Sequence, residues 1–367
     1  MQIVNTGTTY KIYDSSLRTY DQLPARAYQI VFEKMSGFSL VEYDNIVINE
    51  KIYGPHIAKV DKVMKSFKLF ERNLGVILSG AKGIGKSLFA KLCSIRAVDE
   101  GYPLIIVNQY IPGIADFINS IHQEVVVLFD EFDKTFNSKM EHGDPQAEML
   151  TLFDGLSSGK KLFIVTCNEL RDLNTYLVNR PGRFHYHFRF DYPVDDEVRE
   201  YLSDKVPVEY HGEISKVVAF AHKVSLNYDC LRAIAFELSL GTSFEECVKD
   251  LNIVKDDKDE IYMLTIHFKD GGKYTVSYRM DLFSDIEQCP EFCDEQRHDF
   301  RVIFNPLDAM YVYERGGNIV KAEDLKINWE DDYYDNPDDE WQKQRKTREI
   351  DYLIIRRQPQ KNIHYAL

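Results

Sequence analysis

The sequence has no apolar run long enough to cross a membrane and no cysteine pattern that would form a disulfide framework. Its uninterrupted apolar runs stay well below the ~18 residues that span a bilayer. The six cysteines are scattered over 367 residues. The first ten residues contain neither a basic leader nor an apolar core, so we expect no signal peptide. We therefore expect reduced thiols, a cytoplasmic location and no membrane partner.

Positive charge is also in short supply. Lysine and arginine total 45 against 59 acidic residues, which gives a formal net charge of −14. This balance opposes nonspecific binding to nucleic acid or to acidic membranes. The 44% hydrophobic and 28% charged content is typical of a globular protein, and the length predicts two or three domains.

The sequence also has almost no cysteine and histidine residues at the spacing that metal sites use. The closest cysteines are Cys289 and Cys293, and His298 follows five residues later. A structural zinc site needs four ligands, and no fourth ligand follows at motif spacing. We interpret these two cysteines as ordinary thiols, with zinc binding as the minor alternative.

The middle of the chain alternates short apolar runs with helical segments. Runs without polar alternation are typical of strands that are covered on both faces, and therefore of a parallel sheet. These runs lie at residues 76–78, 104–107, 125–129 and 162–165. A helix is predicted before them, at residues 54–73, by apolar residues spaced three and four apart. Its lysines, Lys59 to Lys68, form either a solvated face or a surface for nucleic acid or an acidic partner.

The remaining segments differ in pattern. Residues 1–53 are predicted to form an N-terminal α/β extension with a helix near Pro24. Residues 195–252 are wholly helical, and residues 253–367 are rich in strands, with two hairpin turns around Gly271 and Gly316. The acidic run at 330–340 is interpreted as a loop or as a docking segment for a basic partner.

The strongest chemical signal is the octapeptide GAKGIGKS, which begins at Gly80. It fits the phosphate-binding pattern G-x-x-x-x-G-K-[ST] between a predicted strand and a predicted helix, and a chance glycine-rich turn is the alternative. The glycines let backbone N–H groups face phosphates, and the helix N-terminus adds partial positive charge. Lys86 would reach the β- and γ-phosphates, and Ser87 would ligate Mg²⁺. The expected ATP-binding residues are Gly80, Ala81, Lys82, Gly83, Ile84, Gly85, Lys86, Ser87 and Leu88.

Polar side chains end two of the later strands. Asp130 and Glu131 follow one buried strand, where Asp130 would hold Mg²⁺ and Glu131 would polarise the attacking water. Asn168 ends the next strand and would orient that water, although an asparagine there is often only a turn former. Because ligands bind at the carboxyl edge of open α/β sheets, we expect these side chains to meet the phosphate loop.

Arg180 and Arg183 flank a Pro-Gly turn in the segment NRPGRF. Arginine carries a permanent charge on a planar fork that suits phosphate. The alternative is a surface salt bridge.

Taken in order and spacing, GAKGIGKS, VVVLFDE, FIVTCN and NRPGRF resemble the Walker A, Walker B, sensor 1 and arginine-finger motifs of AAA+ ATPases. The likeness covers about residues 54–251, and the RPGRF form resembles the AAA subfamily proper; some features also resemble ATPases encoded by bacteriophages. The resemblance implies that Arg180 and Arg183 act on the ATP of a neighbouring copy. It therefore implies a homo-oligomeric ring, expected to be a hexamer.

The resemblance implies two further site features. Arg232 lies in a helical segment that resembles sensor 2 and would touch the phosphates, although the AAA subfamily proper usually lacks this arginine. A helix-surface ion pair is the alternative. Tyr110 and Ile111 lie where the family has a substrate-gripping pore loop, but Pro112 departs from that pattern. A turn that packs Tyr110 on the domain is the alternative.

The sequence therefore predicts an α/β protein with a P-loop AAA+ core, a small helical lid and a C-terminal β-rich module. The expected function is Mg²⁺-dependent ATP hydrolysis by a ring that remodels or threads a macromolecule, polypeptide rather than nucleic acid. One alternative is a nucleic-acid-linked AAA+ protein such as a helicase loader or replication factor. The other is an ATP-controlled assembly scaffold whose β-rich module does the binding.

Overall fold

The computed structural model describes residues 2–14, 17–44, 46–48, 50–136, 144–154, 159–178, 180–253, 260–294, 299–329 and 347–357. The chain divides into two compact units, Met1–Tyr192 and Pro193–Leu367. In the described residues, no helix is long and apolar enough to cross a membrane. The acidic run at 330–340 and His298 lie outside the described residues.

The first unit combines two sheets with six helices among its described residues. Its strands are β1 (Gln2–Thr6), β2 (Thr9–Tyr13), β3 (Ala27–Glu33), β4 (Gly37–Glu42), β5 (Leu74–Ser79), β6 (Leu104–Val107), β7 (Val125–Phe129), β8 (Lys161–Cys167) and β9 (Tyr186–Arg189). Its helices are α1 (His56–Leu69), α2 (Lys86–Asp99), α3 (Ile114–Asn119), α4 (Phe132–Thr135), α5 (Pro145–Glu148) and α6 (Leu150–Phe153), and a 3-10 turn covers Leu170–Asp172.

The seven-stranded sheet has the order β4-β3-β6-β7-β8-β5-β9, while β1 and β2 form a separate hairpin. Every neighbouring pair in the large sheet is parallel except β3 with β4. All residues of β5, β7 and β8 are buried, as expected for strands covered by helices on both faces. Their carboxyl ends meet at one edge, which is the edge where α/β sheets bind ligands.

The prediction of a helix near Pro24 is wrong. Residues of this segment form β3, which pairs with β4 and also with β6, so the N-terminal region extends the same sheet. Ala27, Tyr28 and Ile30 are buried there. Because β3 pairs with a strand on each side, this segment forms a strand and not a helix. Strand preference depends more on packing against neighbouring strands than on local sequence.

The helix predicted at 54–73 is present as α1. It buries Val60, Val63, Met64 and Phe67 against the sheet, together with His56 at its first position. Ile57, which the spacing assigned to the same stripe, is exposed.

The second unit contains helices followed by strands. The helices are α7 (Asp195–Lys205), α8 (Ile214–Ala221), α9 (Tyr228–Ser239) and α10 (Phe244–Asp250), with a 3-10 helix at Val208–Glu213. The strands are β10 (Glu260–Phe268), β11 (Lys273–Met280), β12 (Glu291–Cys293), β13 (Asp299–Ile303), β14 (Met310–Val312), β15 (Gly317–Lys321), β16 (Lys326–Trp329) and β17 (Ile350–Arg357), with 3-10 turns at Pro306–Asp308, Tyr313–Arg315 and Ala322–Asp324.

These strands form two antiparallel sheets, β11-β10-β17-β15-β14 and β12-β13-β16. Both predicted hairpins are present, as β10 with β11 and β14 with β15. The predicted fold class is confirmed, because a mostly parallel α/β core is followed by helices and by a separate antiparallel β-rich region. Within this unit the helices contact the strands through Asp195, whose carboxylate meets His222 Nε2 at 2.7 Å and also accepts the Tyr311 hydroxyl.

Candidate functional site

The loop from Gly80 to Ser87 joins β5 to α2 in a conformation that requires glycine. Gly80, Gly83 and Gly85 have φ angles of 142°, 73° and 97°. A Cβ atom at Gly80 would also lie 2.3 Å from the Phe190 carbonyl oxygen, so a side chain there would collide with backbone. The loop therefore curls tightly between the sheet and the first turn of α2.

Lys86 begins α2 and its side chain is buried beneath this loop. Its ammonium group donates to the carbonyl oxygens of Gly80 at 2.5 Å and Ala81 at 2.6 Å, and to Asn168 Oδ1 at 3.2 Å. Burial lowers the pKa of Lys86, and the neighbouring acids, Asp133 among them, act in the opposite direction. The loop thus holds a cation on neutral oxygens, an arrangement that fits the binding of a phosphate group.

Thr166 connects the two acids that follow β7. Its hydroxyl donates to Asp130 Oδ1 at 2.6 Å and accepts from the Glu131 backbone N–H at 2.8 Å. Glu131 has a φ angle of 50° and, among the described residues, is the only one other than glycine with positive φ. A non-glycine residue held in this region costs free energy, and such residues cluster at functional sites. The Thr166 bonds hold the backbone there, next to Asp130.

The Glu131 carboxylate is half-exposed and contacts the Lys134 ammonium one turn along the chain. This hydrogen bond lowers the pKa of Glu131, and Lys82 and Lys86 act in the same direction. The carboxyl group is therefore ionised at neutral pH, which is the state that a general base requires.

Asn168 joins the loop to the segment after β7. Its carbonyl oxygen accepts from the Gly80 N–H at 3.3 Å, and its own N–H donates to Asp133 Oδ2 at 2.9 Å. Asp133 is buried, and its Oδ1 has no hydrogen-bond partner among the described residues. Asp133 and Thr166 were not predicted from the sequence as site residues. Their signals were an acid three residues after Asp130 and a lone hydroxyl within an apolar strand.

The two arginines occupy different environments. Arg183 donates to both carboxylate oxygens of Asp154, with Nη2 at 2.8 Å, and to the Tyr176 carbonyl at 2.6 Å. Arg180 is exposed and lies over the Tyr176 ring at 5.8 Å. Asp154 was likewise not predicted from the sequence.

Ser87 and Leu88 follow Lys86 in the first turn of α2. Ser87 is exposed, and Leu88 lines a cavity of about 270 Å³ together with Val47, Ile48, Glu50 and Lys91. The Ser87 hydroxyl and the Asp130 carboxylate are oxygen donors of the type that Mg²⁺ prefers. The described residues contain no cluster of three His, Cys, Asp or Glu that could hold a metal. Cys289 and Cys293 are exposed, and neither forms a disulfide with another described residue.

Tyr110 lies half-buried on the first unit. Its hydroxyl donates to Glu148, and its ring meets the Phe136 ring edge-on at 5.6 Å. Burial, followed by this hydrogen bond, raises the pKa of Tyr110 to about 12. Ile111 is also half-buried. This arrangement matches the alternative in which the turn packs on the domain, and a substrate-gripping role for the pair stays a prediction.

Arg232 belongs to the second unit, on α9. Its side chain is 60% exposed, and its guanidinium lies 3.4 Å from Asp229 on the same helix. Its contact with phosphates stays a prediction.

Comparison with known proteins agrees with this geometry. A family model described as "ATPase family associated with various cellular activities (AAA)" matches residues 76–192. The putative ribosome biogenesis ATPase nvl of Dictyostelium discoideum is 26% identical over 164 residues, which cover 39% of this chain and 19% of that protein. Protein mac-1 of Caenorhabditis elegans is 27% identical over 146 residues, which cover 35% of this chain and 18% of that protein.

The chain thus spans about a fifth of the length of these curated relatives. The family match includes the loop from Gly80, the acids after β7, Asn168 and both arginines. Residues 76–192 are therefore similar to the ATPase domain of the AAA family.

Proposed function

We propose that the chain binds ATP at residues 80–88 and hydrolyses it with the help of Mg²⁺. The observation that supports this most strongly is the hydrogen-bonded set at the carboxyl edge of the sheet. Asn168 contacts the Lys86 ammonium, the loop and Asp133, while Thr166 joins Asp130 to Glu131. Phosphate binding, metal binding and water activation would thereby share one connected site.

Each group has a distinct part in this reaction. Lys86 and the loop N–H groups would hold the β- and γ-phosphates. Ser87 and Asp130 would hold Mg²⁺, which when bound neutralises charge on the phosphate oxygens. Glu131, ionised at neutral pH, would accept a proton from the attacking water, and Asn168 would orient that water.

We further propose that the chain acts as a homo-oligomeric ring, expected to be a hexamer. The segment NRPGRF, which resembles the arginine-finger motif of AAA+ ATPases, supports this proposal. A charge that only a neighbouring copy can supply would couple hydrolysis to assembly.

We propose a polypeptide substrate or partner. The formal net charge of −14 disfavours a nucleic-acid channel, which needs many cations to neutralise phosphates. The lysines of α1 add little to the nucleic-acid alternative. Lys59 lies over the Phe190 ring at 5.4 Å, Lys62 lies over the Tyr186 ring at 5.1 Å, and Lys68 pairs with Glu100.

Lys86→Ala tests the nucleotide site directly. The substitution removes the cation that would face the phosphates, so ATP affinity should fall by more than about tenfold, which corresponds to about 1.4 kcal/mol. Lys65→Ala, which changes an exposed lysine of α1, is the matched control and should bind ATP like the parent chain. Equal ATP affinity of the Lys86→Ala variant and the control in a titration would disprove the site.

Substrate-stimulated hydrolysis separates the polypeptide proposal from the alternatives. An unfolded protein should raise the ATPase rate, and single-stranded DNA should not. Stimulation by DNA alone would favour the nucleic-acid reading, whereas assembly that needs ATP binding but no turnover would favour the scaffold.

A further inference from the structure

The guanidinium group of Arg183 forms hydrogen bonds through all three nitrogens within its own chain. Three of its nitrogens are used, with Nε and Nη2 on the two oxygens of Asp154 and Nη1 on the Tyr176 carbonyl. Its side chain is only 11% exposed. A planar fork paired with both oxygens of a carboxylate is the strongest form of this interaction. If the Arg183 side chain turned toward a neighbouring copy, Asp154 would lose this partner.

Arg180 has the opposite character. Its side chain is exposed and forms no hydrogen bond or ion pair with the part of the chain that the structure describes. Its guanidinium carbon lies 5.8 Å from the centre of the Tyr176 ring. With respect to the described residues, the guanidinium N–H groups of Arg180 are therefore available to an anion outside its own chain.

The turn between the two arginines is anchored to the core. The N–H groups of Arg183 and Phe184 both donate to the Arg180 carbonyl, at 2.9 and 3.1 Å. Phe184 is buried and packs on Phe153 with a ring separation of 5.0 Å. Gly75 allows this approach, because a Cβ atom there would lie 2.3 Å from the Arg183 carbonyl oxygen.

The segment before the turn is anchored as well. The fully buried Gln146 accepts from the Asn174 N–H at 2.6 Å and donates to the Asp172 carbonyl at 3.0 Å. Asn174 also donates to Asp144 at 3.0 Å. These bonds fix the chain just before Tyr176, which then contacts both arginines, one through its carbonyl and the other through its ring.

We propose that the two arginines have different roles, with Arg180 alone contacting the phosphates of a neighbouring copy's ATP. Arg183 is a positioning residue that holds the turn in place through Asp154 and the Tyr176 carbonyl. This inference rests on the proposed ATPase ring, and it replaces the expectation that both arginines reach the neighbour.

Hydrolysis by assembled chains tests the division. Arg180→Ala should lower kcat by about a thousandfold or more, the scale on which arginine fingers act. A smaller decrease in kcat is expected for Asp154→Ala, for Arg183→Ala and for the double variant. The decrease should be the same in all three, because each removes the same pairing between Arg183 and Asp154. KM for ATP should not change in the Asp154 and Arg183 variants, since neither residue is proposed to contact ATP. Assembly is checked by mass measurement, so that loss of the ring is not mistaken for loss of positioning.

A conservative variant of Arg183 and a variant of its partner Asp154 test whether Arg183 positions the turn or contacts the phosphates itself. Arg183→Lys keeps the charge but lacks the planar fork that pairs with both oxygens of Asp154 while a third nitrogen reaches the Tyr176 carbonyl. Its kcat should therefore match that of Arg183→Ala at a temperature where both are folded. If Arg183 itself contacted the phosphates, Asp154→Ala would release it and leave kcat unchanged or higher. Arg183→Ala would then be as inactive as Arg180→Ala, and this pair of results would overturn the proposal.

Labelling with phenylglyoxal, followed by mass spectrometry, gives a test that needs no turnover. Arg180 should react much faster than Arg183 in the free chain, and Asp154→Ala should make Arg183 as reactive as Arg180. ATP-driven assembly should then protect Arg180. Equal labelling of the two arginines in the parent chain, or no protection of Arg180 on assembly, would refute the division. Failure of the parent chain to bind ATP would instead refute the proposed function.

Discussion

Acidification should destabilise the first unit through His56. This residue begins α1, is only 5% exposed and stacks on the Phe190 ring at 5.2 Å, beside Gly85 of the phosphate loop. Its Nδ1 atom is buried without a hydrogen-bond partner among the described residues. Burial, together with the nearby charge of Lys59, lowers the pKa of His56 from 6.5 to about 4. The folded unit therefore holds this imidazole in its neutral form.

The sign of the effect follows from linkage. The unfolded chain takes up the proton near pH 6.5, whereas the folded chain resists it until about pH 4. Stability contributed by the neutral ring is therefore present above pH 6.5 and is lost as the pH falls through this window. The pKa difference gives a loss of about 2 kcal/mol at pH 5, and about 3 kcal/mol in the acid limit.

Hydrogen exchange of the slowest amides in β5 and β8 measures this loss, because these buried strands report opening of the first unit. The opening free energy should fall between about pH 7.5 and pH 5 in the parent chain. It should fall by about 2 kcal/mol less in His56→Gln, which cannot titrate. His185→Gln, which replaces an exposed histidine of the same unit, is the matched control and should behave like the parent chain. The reasoning fails if His56→Gln shows the same pH dependence as the parent chain.

Three further substitutions test the site. Glu131→Gln should bind ATP but hydrolyse it at least about a hundredfold more slowly, because the general base is gone, and parent-like turnover would assign water activation elsewhere. Asp133→Ala should lower kcat without changing ATP affinity. It should also lower the free energy of unfolding by about 1–3 kcal/mol in a denaturation experiment, because the Asn168 N–H loses its partner. An unchanged kcat would show that Asn168 does not need this hydrogen bond. Tyr110→Ala should cost about 2 kcal/mol of unfolding free energy, roughly half the loss from a fully buried aromatic ring. A negligible change in the free energy of unfolding would show instead that Tyr110 lies on an exposed loop and does not pack on the domain.

The sequence was informative where local pattern and chemistry coincide. Apolar runs located β5, β6, β7 and β8 to within two residues, because strands buried on both faces leave no polar alternation. The loop from Gly80 could be recognised because its φ angles and its close approach to Phe190 admit only glycine at fixed positions. Such constraints act within a few residues and therefore leave a readable pattern.

The supporting contacts were not predictable, because each joins residues far apart in the sequence. Thr166 lies on β8 and Asp130 directly follows the neighbouring strand β7, while Asp133 contacts Asn168 from the helix after β7. Only the pairing of β7 with β8 brings these groups together. The error at Pro24 has the same origin, since pairing with β6, far along the chain, makes that segment a strand.

The arginine turn shows how much this limit matters for function. In the sequence, Arg180 and Arg183 are equivalent cations on either side of Pro-Gly, and either one suits phosphate. The difference between them arises from Asp154, which precedes Arg183 by 29 positions and reaches it because the chain returns to the sheet at Phe184. Arg183 is mostly covered and would have to give up its two-fold pairing with Asp154 to reach another site, whereas the exposed Arg180 side chain has no such pairing with the described residues to lose. Which arginine can serve a neighbouring copy is therefore decided by the folded chain and not by the motif.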